Sequence, residues 1–479
     1  MEAFECFSSR LLSPGKANEQ KAEKMKRRFL LLICLFFSFA PFGFSQQQEP
    51  LTYEDFIKIV REHHPIMQKS LLIRSAADAN LLKSKGNFDP KITHETDGKN
   101  FNQKNYYQFS HTALKIPTWF GLEVKGGYEL NRGDFISAEH QTPASGLWYG
   151  GLSMPLGKNL FIDERRKTLR QAQLMIGQSE IDQRIMQSDL ILHSSEAYWD
   201  WYRAFHALEI SNEGLRLAEE RLNAIRISAE LGEHAKIDTL EATLQRDTRT
   251  VELEQAKANH AYYRAGLGVY LWGPNQIPLE PKENSFPPKT DSTHSIYHNI
   301  TIDTTVWIRQ YDYKLELLKI EERFKKEQLK PELNLVYNPL IQPVSGGLMP
   351  FSTNNMKYGL TASFPIFLRK ERGDLNSVQI KLKEAQIDRS VKSLEIRNKV
   401  YGISQMVFSL GSQIRTQESI IESSKKMRDA ELVKFELGES SLFLVNSREL
   451  KYLESKLKGI ELMAKYRIYQ AQLDWLQTD

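Results

Sequence analysis

The chain has little cysteine, no long apolar run past its N-terminal region, and no proline over its longest patterned stretch. Among 479 residues the only cysteines are Cys6 and Cys34. Both precede the cleavage point expected below, so the exported chain is expected to lack a disulfide framework and a reactive thiolate. Cys34 follows Ile33, where a lipoprotein signal needs a small residue, so no acyl anchor is expected. Past residue 45 no run of about eighteen apolar residues occurs, which excludes a membrane-crossing helix but leaves a closed β-barrel open. A Walker loop, an HExxH and a GxSxG are all missing, and no nucleophile stands with a base. The chain therefore reads as a non-enzyme without cofactor or metal. Its eleven histidines include His63 and His64 before Pro65, and His294 and His298 in a polar stretch; none has an acidic or cysteine partner at ligand spacing. A basic face is also missing. Of the net charge of +4, the first 45 residues supply seven Lys/Arg against four Asp/Glu, so nucleic acid is not an expected partner.

What is present begins with an export signal. Lys26, Arg27 and Arg28 precede an apolar core from Phe29 to Phe37, and Gly43 and Ser45 stand at positions −3 and −1 of a cut before Gln46. Met25 just ahead of the basic residues is read as the true start.

The chain then repeats itself. Glu230-Leu231-Gly232-Glu233 returns 206 residues later as Glu436-Leu437-Gly438-Glu439, and Pro155-Leu156 returns 210 residues on as Pro365-Ile366. Each copy has the order short helix, strands, very long helix, glycine turn, long helix. A first helix starts near Leu51, with Thr52 as cap and Glu54 and Asp55 in the first turn, and runs to Lys85. Its counterpart runs from Asp303 to Leu329.

The strands alternate. Leu122, Val124, Gly126, Tyr128 and Leu130 interleave with Glu123, Lys125, Gly127, Glu129 and Asn131. Trp148 to Met154, Leu333 to Tyr337 and Tyr358 to Phe364 repeat the pattern. Such strands have about the nine to eleven residues that a tilted strand needs to cross a bilayer. Tyr106, Tyr107, Trp119, Phe120, Trp148 and Tyr149 fit an interfacial girdle, although a soluble sandwich alternates equally well.

The helices are more restrictive. Asp163 to Leu231 contains no proline, and Trp201, Phe205, Leu208, Leu215, Ala218, Leu222 and Ile225 step by threes, fours or seven. Ile396, Val400, Ile403, Val407, Leu410, Ile414 and Ile421 form a cleaner seam, continued by Leu450, Leu453, Leu457, Ile460, Ala464 and Ile468. Between the copies, residues 273–302 hold five prolines among polar residues and read as a linker.

The stretches FDPKITHE, GLSMPLGKNLF and LGEHAKIDTLEA in the first half, with LKPELNLVYNP, YGLTASFPIF and FELGESSLFLVNSRE in the second, resemble the TolC-type outer-membrane efflux family from about residue 50 onward. The resemblance implies an α+β membrane protein: a homotrimeric β-barrel in outer-membrane lipid, joined to a long periplasmic α-helical barrel and built from two internal repeats. It implies passive exit of small molecules or polypeptides delivered by a periplasmic adaptor and an inner-membrane pump, proton-driven or ATP-driven. A periplasmic adaptor or a structural coiled coil is the alternative. The expected parts are residues 1–45 as extension and signal, 46–272 as first repeat (strands about 90–156, hairpin about 163–270), 273–302 as linker, and 303–479 as second repeat (strands about 331–366, hairpin about 372–476).

The family pattern has two barrel strands per repeat, hence four per protomer and twelve per barrel. The first copy departs from it, with 65 residues from Pro90 to Pro155 against 34 from Pro331 to Pro365. The excess includes Tyr106–Ile116 and Gly121–Asn131, read as a third and fourth strand or as a hairpin outside the barrel. In relatives the glycine turns meet the adaptor, which singles out Leu231, Gly232, Leu437, Gly438, Ser440 and Ser441; the alternative is that they only turn the chain. The resemblance also makes Asp429, nine residues before Gly438, a candidate aperture acid: an acid in this region of relatives lines the constricted end, where three copies would form an anionic ring. The alternative is a solvated helix charge beside Arg428.

Overall fold

The computed structural model describes residues 49–232, 235–290, 302–344, 347–348 and 354–478. The expected signal (25–45) and residues 291–301 of the expected linker lie outside the described residues. A small unit contains Glu49 and Glu283–Ser285, where the Glu49 N–H donates to the Asn284 carbonyl at 3.3 Å. The larger unit, Pro50–Lys282 with Phe286 onward, carries the long helices and a six-stranded sheet.

Thr52 starts the first helix, α1 (Tyr53–His63): its hydroxyl accepts from the Asp55 N–H at 3.1 Å. The single helix expected to reach Lys85 is instead two. Pro65 forces His64 into extended backbone (φ −66, ψ 131) and ends α1. Pro65 then serves as the first residue of α2 (Pro65–Lys85), and His64 Nδ1 accepts from the Ile66 N–H at 3.1 Å.

The proline-free stretch forms α3 (Glu164–Glu230), capped by Asp163, whose Oδ1 accepts from the Arg166 N–H at 2.8 Å. At 67 residues it is about 100 Å long. It is followed by α4 (Lys236–Gly268), α5 (Val306–Gln328), the 68-residue α6 (Arg369–Glu436) and α7 (Leu442–Leu476). The heptad seam on α6 is an interior one: Ile396, Ile403, Val407, Leu410 and Ile414 are buried with Leu462, Ala464 and Tyr466 of α7 and Tyr198 and Trp201 of α3. Phe56 and Val60 of α1 join this core, and the Phe56 and Tyr198 rings lie 5.5 Å apart. Each such aliphatic side chain contributes about 1.5–3 kcal/mol on burial.

The sheet has six strands: β1 (Lys91–Phe101), β2 (Lys104–Pro117), β3 (Glu123–Arg132), β4 (Leu147–Pro155), β5 (Glu332–Ile341) and β6 (Met356–Ser363). Their order is β6-β5-β4-β3-β2-β1, antiparallel throughout. The count of four per protomer, and the twelve per barrel built on it, is therefore corrected: the excess residues of the first half are a third and fourth strand of this same sheet. β1 was hard to read because Lys91, Thr93, Glu95 and Asp97 face away from Ile92, His94, Thr96 and Gly98, so only Ile92 marks an apolar side. The β1–β2 hairpin turns on Asn102 and Gln103, both at positive φ (51° and 57°), without the glycine that usually advertises such a turn.

Candidate functional site

Strand register sorts the sheet into two unlike faces. Val124 stands opposite Leu152, Leu152 opposite Tyr337, and Tyr337 opposite Tyr358; two residues along, Leu335 stands opposite Leu360. All six of these side chains are exposed. The opposite face carries Lys125, Glu129, Asn334, Lys357 and Thr361. On β1 and β2 the apolar face is limited to the base of the hairpin, at Ile92, Leu114 and Ile116.

One ion pair reports the curvature. Lys357 Nζ on β6 lies 3.5 Å from Glu129 Oε1 on β3. Those strands are separated by β4 and β5, about 14 Å along the sheet at the usual strand spacing. The side chains meet because the sheet curls toward its polar face. His111 Nε2 on β2 likewise reaches Tyr149 Oη on β4 at 2.7 Å across β3. The polar face is concave and the apolar face convex.

The glycine turns close the long helices at their other ends. Gly232 and Gly438 have φ of +80° and +78°, the left-handed geometry that ends a helix without a Cβ penalty. At the second turn the Glu439 N–H donates to the Lys434 carbonyl at 2.8 Å and the Gly438 N–H to the Phe435 carbonyl at 3.0 Å, a Schellman closure. At the first, the Gly232 N–H donates to the Ala229 carbonyl at 3.2 Å. Leu231 and Leu437 precede these glycines, and both are 70% exposed.

Ser440 and Ser441 have separate local duties. Ser441 caps α7, its Oγ accepting from the Leu444 N–H at 3.4 Å. Ser440 Oγ donates to Glu431 Oε1 at 2.6 Å, and Arg448 Nε lies 3.6 Å from the other carboxylate oxygen. The Ser440 hydrogen bond, then Lys434 and Arg448, hold the Glu431 carboxyl below the usual carboxylate range. Ala235, which precedes α4, caps that helix without a side-chain bond. Sequence reading did not find Glu431 and Arg448, whose partners lie across the turn.

Asp429 is on α6 and accepts from Arg428 Nε at 2.8 Å and Nη2 at 2.5 Å. The Arg428 guanidinium also lies over the Tyr452 ring, 4.5 Å from its centre. Any electrostatic effect of Asp429 therefore includes its paired arginine. Among the described residues no group of three or more His, Cys, Asp or Glu side chains is placed to hold a metal ion, and no helix is long and apolar enough to cross a membrane.

No family model and no curated protein sequence matches the chain. Solved structures do. CusC, described in terms of folding and transmembrane channel formation, aligns over 89% of this chain and 92% of its own at a TM-score of 0.66 and 13% identity. The CmeC outer-membrane channel of Campylobacter jejuni aligns over 88% and 84% at 0.63 and 13%, and the outer-membrane protein VceC of Vibrio cholerae over 89% and 96% at 0.62 and 13%. The chain has the fold of these outer-membrane proteins, which is the fold implied by the resemblance.

Proposed function

We propose that this chain is one subunit of an outer-membrane channel, an exit duct that extends into the periplasm and performs no catalysis. The observation that carries this reading is the Glu129–Lys357 ion pair, because it makes the charged face of the sheet the inner one and turns Val124, Leu152, Tyr337 and Leu360 outward. A convex apolar face and a concave polar face match lipid outside and water inside. The strands, from 8 to 14 residues, suit a tilted bilayer crossing. One chain cannot complete this structure. β1 and β6 are open edges, and unpaired backbone groups in lipid cost several kcal/mol each. Copies must close the ring, and three is the number the resemblance implies.

The shared order of helix, strands, long helix, glycine turn and long helix on either side of residues 273–302 supports two structural repeats, 46–272 and 303–479. The glycine turns, at the ends of the helices far from the sheet, offer Leu231 and Leu437 to a periplasmic adaptor, with Gly232, Gly438, Ser440 and Ser441 setting the shape of the contact. An inner-membrane pump would then supply the energy. An adaptor or a free coiled coil would have no use for a convex apolar sheet.

Membrane fractionation with native mass measurement tests this. Recovery in the outer membrane as a trimer whose gel migration changes on heating supports it. A soluble or inner-membrane monomer contradicts it. Leu231→Glu and Leu437→Glu are expected to lower adaptor capture while trimers persist; undiminished capture would remove the tip-contact reading.

A further inference from the structure

The connection between β3 and β4 is long and folded back on the sheet. β4 runs toward α3, so this connection, residues 133–146, lies at the end of the sheet away from the helices. At the same end β1 and β2 are joined through Asn102 and Gln103 alone. A connection this long inside a packed structure is usually functional.

Its path is fixed by contacts. It first continues β3 along β2: the Asp134 N–H donates to the Asn105 carbonyl and the Phe135 N–H to the Tyr106 carbonyl, both at 3.0 Å. It then reverses in a short 3-10 turn, Ala138–His140, where the His140 N–H donates to the Ser137 carbonyl at 2.9 Å. On the return, the His140 ring lies 5.6 Å from the Phe109 ring, and the His140 carbonyl accepts from Asn131 Nδ2 at 2.7 Å. Thr142 Oγ1 accepts from the Asn131 N–H at 2.9 Å, and Tyr128 Oη donates to the Ser145 carbonyl at 3.0 Å. Glycine bounds the connection at both ends. Gly133 and Gly146 have φ of +142° and +75°, and a Cβ there would stand 2.6 Å from Tyr107 Cα or 2.1 Å from Tyr128 Oη.

Register shows which face the turn covers. Phe109 stands opposite Asn131 and opposite Asp97, two residues along from His111 and Glu129. Phe109 and Asn131 therefore belong to the concave, polar face. Tyr107, stacked on Phe109 at 4.8 Å, shares it. Two aromatic rings on a face otherwise suited to water are explained by what lies over them. Both are half-buried, whereas Ala138, Glu139 and His140 of the covering turn are exposed.

We propose that the turn Ala138–His140 of each copy projects into the outer mouth of the channel and sets the largest solute that passes there. This rests on the ring of copies proposed above. Three six-stranded sheets make eighteen strands, and a wall of that size, with tilted strands at the usual spacing, is about 36 Å across between backbones. Side chains on a bare wall leave about 26 Å free, whereas a segment laid on the wall takes about 10 Å from each side and leaves about 16 Å. The wide barrel is thus narrowed by its own chain at the exit.

The test places a cysteine beyond the mouth. Thr361 stands opposite Asn334, itself opposite Pro155 at the helix end of β4, and it lies on the concave face. Thr361→Cys, in a chain that also carries Cys6→Ser and Cys34→Ser, is labelled in intact cells with two membrane-impermeant maleimides. One is the size of glucose; the other is carried on a polymer about 20 Å across, between the two widths. The small reagent is expected to label the cysteine. The large one is expected to label it only when residues 134–145 are replaced by a short Gly-Ser turn. Equal reaction of the large reagent with both chains overturns the constriction and leaves the channel reading standing. Labelling by neither reagent in a heat-modifiable trimer overturns both. A second variant, Ala138→Trp, adds bulk at an exposed position and removes no contact named above. It is expected to slow the small reagent several-fold; an unchanged rate rejects the proposal even if the shortened chain fails to assemble.

Discussion

Arg221 of α3 donates through Nη2 to Glu449 of α7 at 2.5 Å, and Glu449 is fully buried. Arg221 Nη1 donates to Asn446 Oδ1 at 3.0 Å, and Asn446 Nδ2 reaches Glu241 of α4 at 3.3 Å. This network joins the first helical hairpin to the second about three turns from the glycine turns. Glu449 Oε1 has no hydrogen-bond partner, so the pair is incompletely compensated for its loss of water. Removing one partner leaves a buried charge alone, at a cost of about 3–5 kcal/mol. Arg221→Met is therefore expected to raise amide exchange sharply on α3 and α7 around the pair. The double variant Arg221→Met with Glu449→Leu is expected to recover most of the protection. Equal exchange in wild type and Arg221→Met would show that the pair does not hold the hairpins together.

Gly438 makes a different demand, set by backbone alone. Its φ of +78° costs about 1–2 kcal/mol for a residue with a Cβ, although no side-chain or backbone atom crowds the position. Gly438→Ala is expected to lower the unfolding midpoint and Gly438→Asn to do so less, because asparagine tolerates the left-handed region. Gly232, at +80°, is expected to follow the same ranking. An alanine that stabilises either turn would contradict the assigned geometry.

These two sites show what the sequence could and could not reveal. The glycine turns were legible because a positive φ leaves a residue-type signature in place, and the cap at Thr52 was visible because it too is a local signal. The interior seam on α6 was legible because burial follows the heptad. Ile380 and Phe408 on the same helix have heptad spacing as well yet stay exposed, so spacing alone does not tell which row is interior. The break at His64 follows from Pro65, which the single helix expected to reach Lys85 does not accommodate. The Arg221–Glu449 pair joins residues 228 apart, and no local pattern announces such a contact. β1 escaped because its outward residues past Ile92 are polar, so period two carried no contrast.

Asp429 and Arg428 can be separated by charge. With the arginine in place the carboxylate is neutralised locally, so Asp429→Asn is expected to change cation selectivity of single channels only slightly. Arg428→Gln uncovers the carboxylate and is expected to raise it. A large loss of cation selectivity in Asp429→Asn would instead establish an acidic ring that the arginine fails to mask.

Leu360 and Thr361 are adjacent on β6 and point to opposite faces. An arginine on the lipid face of a barrel costs about 2–4 kcal/mol at the midplane and much less near the interfaces. Leu360→Arg is therefore expected to reduce heat-modifiable trimer in outer membranes, and Thr361→Arg to leave it nearly unchanged. The reverse ranking would mean that the charged side of the sheet faces outward.

The central claim is that copies of this chain enclose a water-filled path through lipid. Addition of the purified protein to a planar lipid bilayer measures that directly. The account predicts discrete, uniform steps of ion conductance that scale with bulk salt. A correctly folded protein that inserts and passes no current, or that leaves the membrane sealed at every concentration tried, would contradict it.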